Sequence, residues 1–154
     1  MRSGRHGGER SPGWVSDARG VLQGLSLATT PLDLLRAGME AVACRIAQVY
    51  ELLRPALPGE PVIIASGGAI QSSPAWQQIL ADALNRPLYL SQVPETSTRG
   101  SVLLALEALG LIEDAGKAPD EAIVVAQPDA ARHARYREVI EQQRALYRQV
   151  IAKE

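Results

Sequence analysis

The sequence has few of the residues that build disulfide frameworks and metal centres. Its 154 residues include one cysteine, Cys44, and two histidines, His6 and His133. One cysteine cannot form an internal disulfide, and one cysteine with two distant histidines lacks the ligand spacing of a zinc site. Neither histidine is placed to activate a serine in a nucleophilic triad. No metal-ligating or catalytic residue is therefore assigned, and Cys44, within a helical pattern, is predicted to be a small core residue.

Charge excess and long hydrophobic runs are also missing. The formal net charge is -1, so the chain has no basic footprint of the kind that nucleic-acid binders carry. No apolar run approaches the roughly 18 residues that cross a bilayer, and no secretory hydrophobic region follows the start. A hydrophobic content of 46% is ordinary for a globular protein. We therefore expect one cytoplasmic domain with no nucleic-acid partner and no membrane partner.

The first seven residues read MRSGRHG and have no apolar residue after Met1. Residues 1–7 are predicted to be a disordered start, with His6 in solvent. A turn-rich loop follows and ends at Trp14, which composition alone predicts to be buried. Residues 20–27 predict a short strand or extended segment.

The most informative stretch is residues 61–85, which reads PVIIASGGAIQSSPAWQQILADALN. The apolar, β-branched run at 62–65 predicts a strand that is covered on both faces in a parallel sheet. Gly67 and Gly68 predict a tight turn, and Ser72 or Ser73 is a candidate cap for the helix that Pro74 begins. Helical spacing of the apolar side chains predicts that one face of this helix packs in the core.

The glycine turn is open to two interpretations. Ligands of open α/β sheets lie beyond the carboxyl ends of the strands, where a Gly-Gly turn leaves room for a flat ring or a phosphate. The alternative is a tight strand-to-helix turn without a ligand, because the spacing matches neither a phosphate loop nor a dinucleotide fingerprint.

Other patterns complete the predicted organisation. A long helix begins after Thr30 with Pro31 in its first turn, carries an apolar stripe from Leu35 to Leu53, and ends before Pro55. Residues 86–93 predict a second parallel strand, a helix closed by Gly110 follows, and residues 116–129 predict a loop with a short extended piece at 123–125. The last helix begins near Asp129. Its arginines and His133 are predicted to form a solvated face. Arg36, Glu40 and Arg45 of the long helix are predicted to form a solvated or domain-facing edge.

Three segments together carry a family resemblance. GGAIQSSPAWQQILADALNRPL, GERSPGW and DARGVLQGLSL resemble the C-terminal domain of the FGGY carbohydrate kinases, which phosphorylate sugars, polyols and sugar acids with ATP. The resemblance extends over nearly all of residues 8–154. It implies an α/β fold, a partial actin-like (ribonuclease H-like) ATPase domain with parallel strands and flanking helices.

The resemblance also implies the positions of the site residues. Gly67 and Gly68 would lie against the adenine and ribose of ATP or ADP, with Gln71 and Ser72 near the adenosine. Glu9 and Arg10 would face the substrate cleft. Similar kinases place the Mg²⁺ ligands and the catalytic aspartate outside the part that this chain resembles, so Asp17, Asp82 and Asp114 are not candidates for the base.

We therefore expect the C-terminal nucleotide-binding portion of a carbohydrate kinase, inactive without the N-terminal kinase domain that holds the catalytic aspartate. GERSPGW, DARG and the PET tripeptide resemble the gluconate-kinase branch of the family more than its xylulose or glycerol branches, and this resemblance implies gluconate among the sugar and sugar-acid substrates. The alternative is a non-catalytic interaction protein that self-associates as a homo-oligomer, because the loss of a partner domain uncovers apolar surface.

Overall fold

The computed structural model describes residues 8–9, 13–93, 95–118 and 121–151. The predicted disordered start, residues 1–7, lies outside them. The described elements are, in chain order, α1 (Pro31–Leu53), β1 (Ile63–Ala65), α2 (Gly68–Gln71), α3 (Pro74–Leu84), β2 (Leu88–Ser91), α4 (Thr96–Ala108), β3 (Ala122–Ala126) and α5 (Ala130–Val150), with short 3₁₀ turns at Arg54–Ala56 and Ala115–Lys117.

The sheet has the strand order β1-β2-β3. β1 pairs parallel with β2, with Ile63 opposite Leu88, so the predicted parallel pair is confirmed. β3 pairs antiparallel with β2, so the extended piece predicted at 123–125 is a sheet strand that runs from 122 to 126. The prediction that β1 is covered on both faces is wrong, because β1 is an edge strand and Ile64 keeps 45% of its surface exposed.

The start of α1 follows its sequence signals. Thr30 accepts a hydrogen bond from the Asp33 backbone N–H, the Asp33 carboxylate accepts from the Thr30 N–H, and Pro31 occupies the first turn. This hydrogen bonding from Thr30 also lowers the pKa of Asp33. The predicted long helix is thus confirmed, and it ends at Leu53 as expected.

The core lies between α1, α3, α5 and one face of the sheet. α1 contributes the buried Ala43, Cys44, Ala47 and Gln48, and it packs mainly against α3. The prediction for Cys44 is confirmed, since its side chain has no exposed surface. The remaining buried apolar residues are Ile70, Leu80, Ala81, Ala83, Leu84, Leu88, Ala126, Tyr136 and Ile140.

The helix α3 is the centre of this packing. Ser73 caps it by accepting from the Trp76 N–H, and Asn85 ends it in the left-handed conformation. Near its C-terminus, the carboxylate of the buried Asp82 accepts hydrogen bonds from the backbone N–H of Asp129 at 2.8 Å and from the side chain of Gln78 at 2.9 Å. Asp82 also pairs with Arg132 at 2.7 Å, so α3 anchors the beginning of α5.

Several charged side chains take part in packing, contrary to the prediction of solvated edges. Glu40 accepts a hydrogen bond from the Tyr136 hydroxyl at 3.1 Å, which ties α1 to α5. His133 is half-buried, with its Nδ1 atom 2.9 Å from the Asp82 carbonyl oxygen. These contacts were not readable from the sequence because each joins residues far apart in the chain.

One prediction for the N-terminal segment is wrong, since Trp14 is 71% exposed rather than buried. Residues 20–27, predicted as a short strand or an extended segment, form no strand. Trp14 has a φ of 55°, which is unusual for a residue with a side chain. Within the described residues, no helix combines the length and the hydrophobicity that a membrane-spanning segment needs.

Candidate nucleotide site

The glycine turn stands directly beyond the carboxyl end of β1. Gly67 has φ 104° and ψ 150°, a region of backbone space that is essentially restricted to glycine. This conformation, which glycine adopts without strain, turns the chain from the strand into the single helical turn α2, which begins at Gly68. Glycine at position 67 is therefore required by the backbone itself.

The turn opens onto free space. A Cβ atom built on Gly67 or Gly68 would have no heavy atom within 4 Å among the described residues. Close packing against another part of the described chain is therefore not the reason for glycine at these two positions. A flat ring or a sugar has room to approach the backbone here without displacing a side chain.

A second loop reaches the same edge of the sheet. Because β1 and β2 are parallel, the segments that follow them leave at the same end. The Thr96 hydroxyl, at the beginning of α4, lies 3.2 Å from the Ser66 hydroxyl, which directly precedes the glycine turn. Ser66 and Thr96 were not among the predicted site residues. The only signal for them in the sequence is their position after two predicted parallel strands.

Gln71 and Ser72 complete the turn on its helical side. The Ser72 hydroxyl donates to the Gly68 carbonyl oxygen at 2.9 Å, which leaves its oxygen free to accept a hydrogen bond from a ligand. Ser72 is exposed and Gln71 is half-buried. The buried Gln77 side chain donates to the Ile70 carbonyl oxygen at 2.8 Å and so fixes the turn from below. The structure thus places all four predicted nucleotide contacts, Gly67, Gly68, Gln71 and Ser72, in one short segment.

Glu9 lies elsewhere, between the N-terminal loop, α1 and α5. One of its carboxylate oxygens pairs with Arg45 and the other accepts a hydrogen bond from the Tyr147 hydroxyl, which raises the pKa of Tyr147. The Arg45 guanidinium also lies over the Tyr147 ring, 4.8 Å from its centroid. A Cβ atom at Gly13 would overlap the Tyr147 hydroxyl and the Glu9 carboxylate, so a side chain at this position would displace the ends of both side chains.

This cluster borders a small cavity of about 210 Å³, whose wall includes Glu9, Val21, Arg45 and Leu146. The Glu9 side chain is 12% exposed, and both of its oxygens are engaged. Arg10 lies outside the described residues. The assignment of Glu9 and Arg10 to the substrate cleft remains a prediction.

Acidic side chains do not converge at the glycine turn. Among the described residues, no group of three or more His, Cys, Asp or Glu side chains is arranged to hold a metal ion. The carboxylate of Asp82 is occupied by Gln78, Asp129 and Arg132. The described segment therefore offers backbone and hydroxyl contacts to a ligand rather than a cluster of charges.

Comparison with known proteins agrees with this geometry. The family model for the C-terminal domain of the FGGY family of carbohydrate kinases matches residues 4–109. An apulose kinase from Pectobacterium atrosepticum is 36% identical over 129 residues, which cover 80% of this chain and 25% of that enzyme.

Two solved structures resemble the fold over most of this chain. A xylulose kinase from Rhodospirillum rubrum is 31% identical with a TM-score of 0.69, covering 86% of this chain and 27% of the kinase. A gluconate kinase from Lactobacillus acidophilus is 26% identical with a TM-score of 0.76, covering 94% of this chain and 30% of the kinase. The expected α/β fold of a partial actin-like ATPase domain is confirmed, although its small sheet is mixed rather than all parallel. The chain spans less than a third of each kinase that it matches here.

Proposed function

Since this chain belongs to the FGGY family of carbohydrate kinases, within their C-terminal domain, we propose that it is the nucleotide-binding portion of an ATP-dependent kinase that phosphorylates a sugar or sugar acid. The expected location is the cytoplasm. The observation that carries the proposal is the glycine turn, which requires glycine at position 67, is open at both glycines, and lies beyond the carboxyl end of a parallel strand. Nucleotides bind at this end of open α/β sheets.

In this proposal, each residue of the turn has a separate role. Gly67 and Gly68 let the adenine and ribose lie against the backbone. Ser72 offers its hydroxyl oxygen to a donor on the adenosine, and the half-buried Gln71 borders the same side. The bound ATP supplies the phosphoryl group that is transferred. These contacts suit the uncharged end of a nucleotide, because no positive side chain belongs to the proposed set.

We also propose that the chain alone does not turn over substrate. Phosphoryl transfer requires Mg²⁺ to neutralise the phosphates and a base to orient the attacking hydroxyl. The described residues contain no acidic cluster for the metal, and the buried Asp82 carboxylate is committed to packing. The Mg²⁺ ligands and the catalytic base would come from an N-terminal kinase domain. Gluconate is the favoured substrate of the enzyme that the two parts would form. In that enzyme Glu9 and Arg10 would border the sugar cleft.

The test is calorimetric titration of the 154-residue chain with magnesium ADP, on the wild type and on Gly68→Val. Gly68 suits this test because it has ordinary φ and free space around its Cβ position, so valine introduces bulk without backbone strain. Gly20→Val is the matched control, since it adds the same side chain in open space in the N-terminal segment. Circular dichroism checks that all three proteins are folded.

We expect weak binding to the wild type and to Gly20→Val, with loss of heat in Gly68→Val. Equal binding by all three proteins would refute the assignment of the turn. Absence of binding by a folded wild type would refute nucleotide binding by this chain and favour the self-associating alternative.

A further inference from the structure

Two hydroxyl side chains meet at the edge of the sheet that carries the glycine turn. Ser66 follows β1 and directly precedes Gly67, and Thr96 is the first residue of α4. The Thr96 hydroxyl donates a hydrogen bond to the Ser66 hydroxyl oxygen at 3.2 Å. The two residues are 30 positions apart in the chain. Their contact therefore joins the segments that follow the two parallel strands.

The direction of this hydrogen bond leaves the Ser66 hydroxyl with a proton to donate. A serine hydroxyl has one donor and two acceptor sites. Because Ser66 accepts from Thr96, its own O–H stays available, and no described residue accepts a hydrogen bond from it. Ser66 is exposed and Thr96 is half-buried. Thr96 thus orients a donor that a ligand can still reach.

Ser66 and Ser72 border the glycine turn at its two ends, and their hydroxyls have opposite capacities. The Ser72 proton is engaged by the Gly68 carbonyl oxygen, so the Ser72 oxygen accepts, which suits the amino group of adenine. The Ser66 hydroxyl donates, which suits the oxygen of a ribose hydroxyl. No described atom lies within 4 Å of a Cβ position at Gly67. A ribose that lies against Gly67 can therefore reach the neighbouring Ser66 hydroxyl.

The helix α4 is held only loosely by packing. None of its described residues is buried, and it packs mainly against the short turn at Ala115–Lys117. The side chain of Glu95, which precedes α4, makes no capping hydrogen bond. Removal of the Thr96 hydroxyl should therefore leave the core intact and act on the Ser66 contact.

We propose that Ser66 binds the ribose of the nucleotide and that Thr96 is its positioning residue. Ser66 donates to a ribose hydroxyl oxygen, and the hydrogen bond from Thr96 holds the Ser66 hydroxyl in the orientation for this contact. The inference rests on the proposed function, because it requires a nucleotide at the glycine turn. It adds the segment after β2 to the site and gives the site a preference for nucleotides that carry ribose hydroxyls.

Nuclear magnetic resonance titration of the isotope-labelled 154-residue chain tests the role of Ser66. The two ligands are magnesium ADP and magnesium 2′,3′-dideoxyadenosine diphosphate, which lacks both ribose hydroxyls. Ser66→Ala should weaken the binding of ADP about three- to tenfold, the effect of one neutral hydrogen bond, and leave the affinity for the dideoxy nucleotide unchanged. Ser101→Ala is the matched control. It removes an exposed serine hydroxyl that donates only within α4, to the Ser97 carbonyl oxygen, and should change neither affinity.

The role of Thr96 is tested through its dependence on Ser66. Thr96→Val keeps the branched shape and loses the donor, so it should also weaken ADP binding, and Thr96→Ser should restore it. Because Thr96 acts through Ser66, the double variant Ser66→Ala with Thr96→Val should bind ADP no more weakly than Ser66→Ala alone. Urea unfolding of the single variants should match the wild type.

The outcomes separate this inference from the proposed function. ADP binding that is lost in Gly68→Val but unchanged in Ser66→Ala would refute the ribose contact and keep the nucleotide site. Equal weakening of both nucleotides by Ser66→Ala would show that Ser66 supports the turn without binding the ribose. Additive losses in the double variant would refute the positioning role of Thr96. A folded wild type that binds neither nucleotide would refute the proposed function and this inference together.

Discussion

The buried Asp82 carboxylate gives the sharpest test of what holds this fold together. Its Oδ1 atom accepts hydrogen bonds from the Asp129 backbone N–H at 2.8 Å and from the Gln78 side chain at 2.9 Å. Its Oδ2 atom pairs with Arg132 at 2.7 Å. The two oxygens thus have different partners. Oδ1 holds the start of α5, just after β3, against α3, and Oδ2 forms the ion pair with Arg132.

Two substitutions separate these tasks. Asp82→Ala removes every contact and leaves the N–H of Asp129 without its partner, so we expect a loss of about 3–5 kcal/mol in the free energy of unfolding, the range for breaking a buried charged network. Asp82→Asn keeps an acceptor for Asp129 and Gln78 and loses only the pairing with Arg132. Because the Arg132 side chain is 53% exposed and water can replace its partner, we expect a loss of about 1–2 kcal/mol.

Urea unfolding followed by far-ultraviolet circular dichroism measures both values, and equal slopes against urea show that the variants are comparable. Glu60→Ala is the control, since Glu60 pairs with Arg54 and Arg86 at the surface and its loss should change stability little. Asparagine that costs as much as alanine would refute the division between the two oxygens. Alanine that costs less than about 1 kcal/mol would refute the anchoring role.

Three further predictions follow from burial and backbone geometry. Burial, followed by the nearby Glu40, raises the pKa of Tyr136 from 10.0 to about 12. The stability that the neutral Tyr136 hydroxyl contributes is therefore complete below pH 10 and lost between pH 10 and about 12. Alkaline unfolding curves of the wild type and Tyr136→Phe should differ in that range. Burial raises the pKa of Cys44 to about 11, so a thiol reagent at pH 8 should label it only after urea is added. Gly67→Ala should lose about 1–3 kcal/mol of stability, because alanine is strained at the positive φ of this position. Gly68→Ala should stay near the wild type in the same urea titration, since the φ of Gly68 is ordinary and its Cβ position is open.

Local signals in the sequence predicted the helices and the glycine turn. Thr30 with Pro31, Ser73 with Pro74, and Asp129 each begin a helix as expected, because a cap depends only on residues three or four positions away. The turn at Gly67 was predicted for the same reason: two glycines after a short apolar run specify a change of direction without any distant contact.

Features that depend on distant contacts were missed or misjudged. The sequence predicted an extended piece at 123–125 but not its place in the sheet, which depends on antiparallel pairing with β2. Arg132 and His133 looked like members of a solvated face, but α3 presents Asp82 to them. The stripe of α1 follows a helical period that predicts an apolar face without saying what covers it, and the small Ala43, Cys44 and Ala47 form the buried face instead.

The position of β1 connects these observations with function. β1 carries the glycine turn at its carboxyl end, yet it is the edge strand of the described sheet, so only the β2 side of the turn is bordered by a neighbouring loop, through Ser66 and Thr96. A nucleotide bound there would bury one side and expose the other. Its affinity should therefore be weak even if every contact of Gly67, Gly68 and Ser72 forms, because buried surface and excluded water supply much of the binding free energy. For the same reason, a structure that pairs with the free edge of β1 should tighten nucleotide binding.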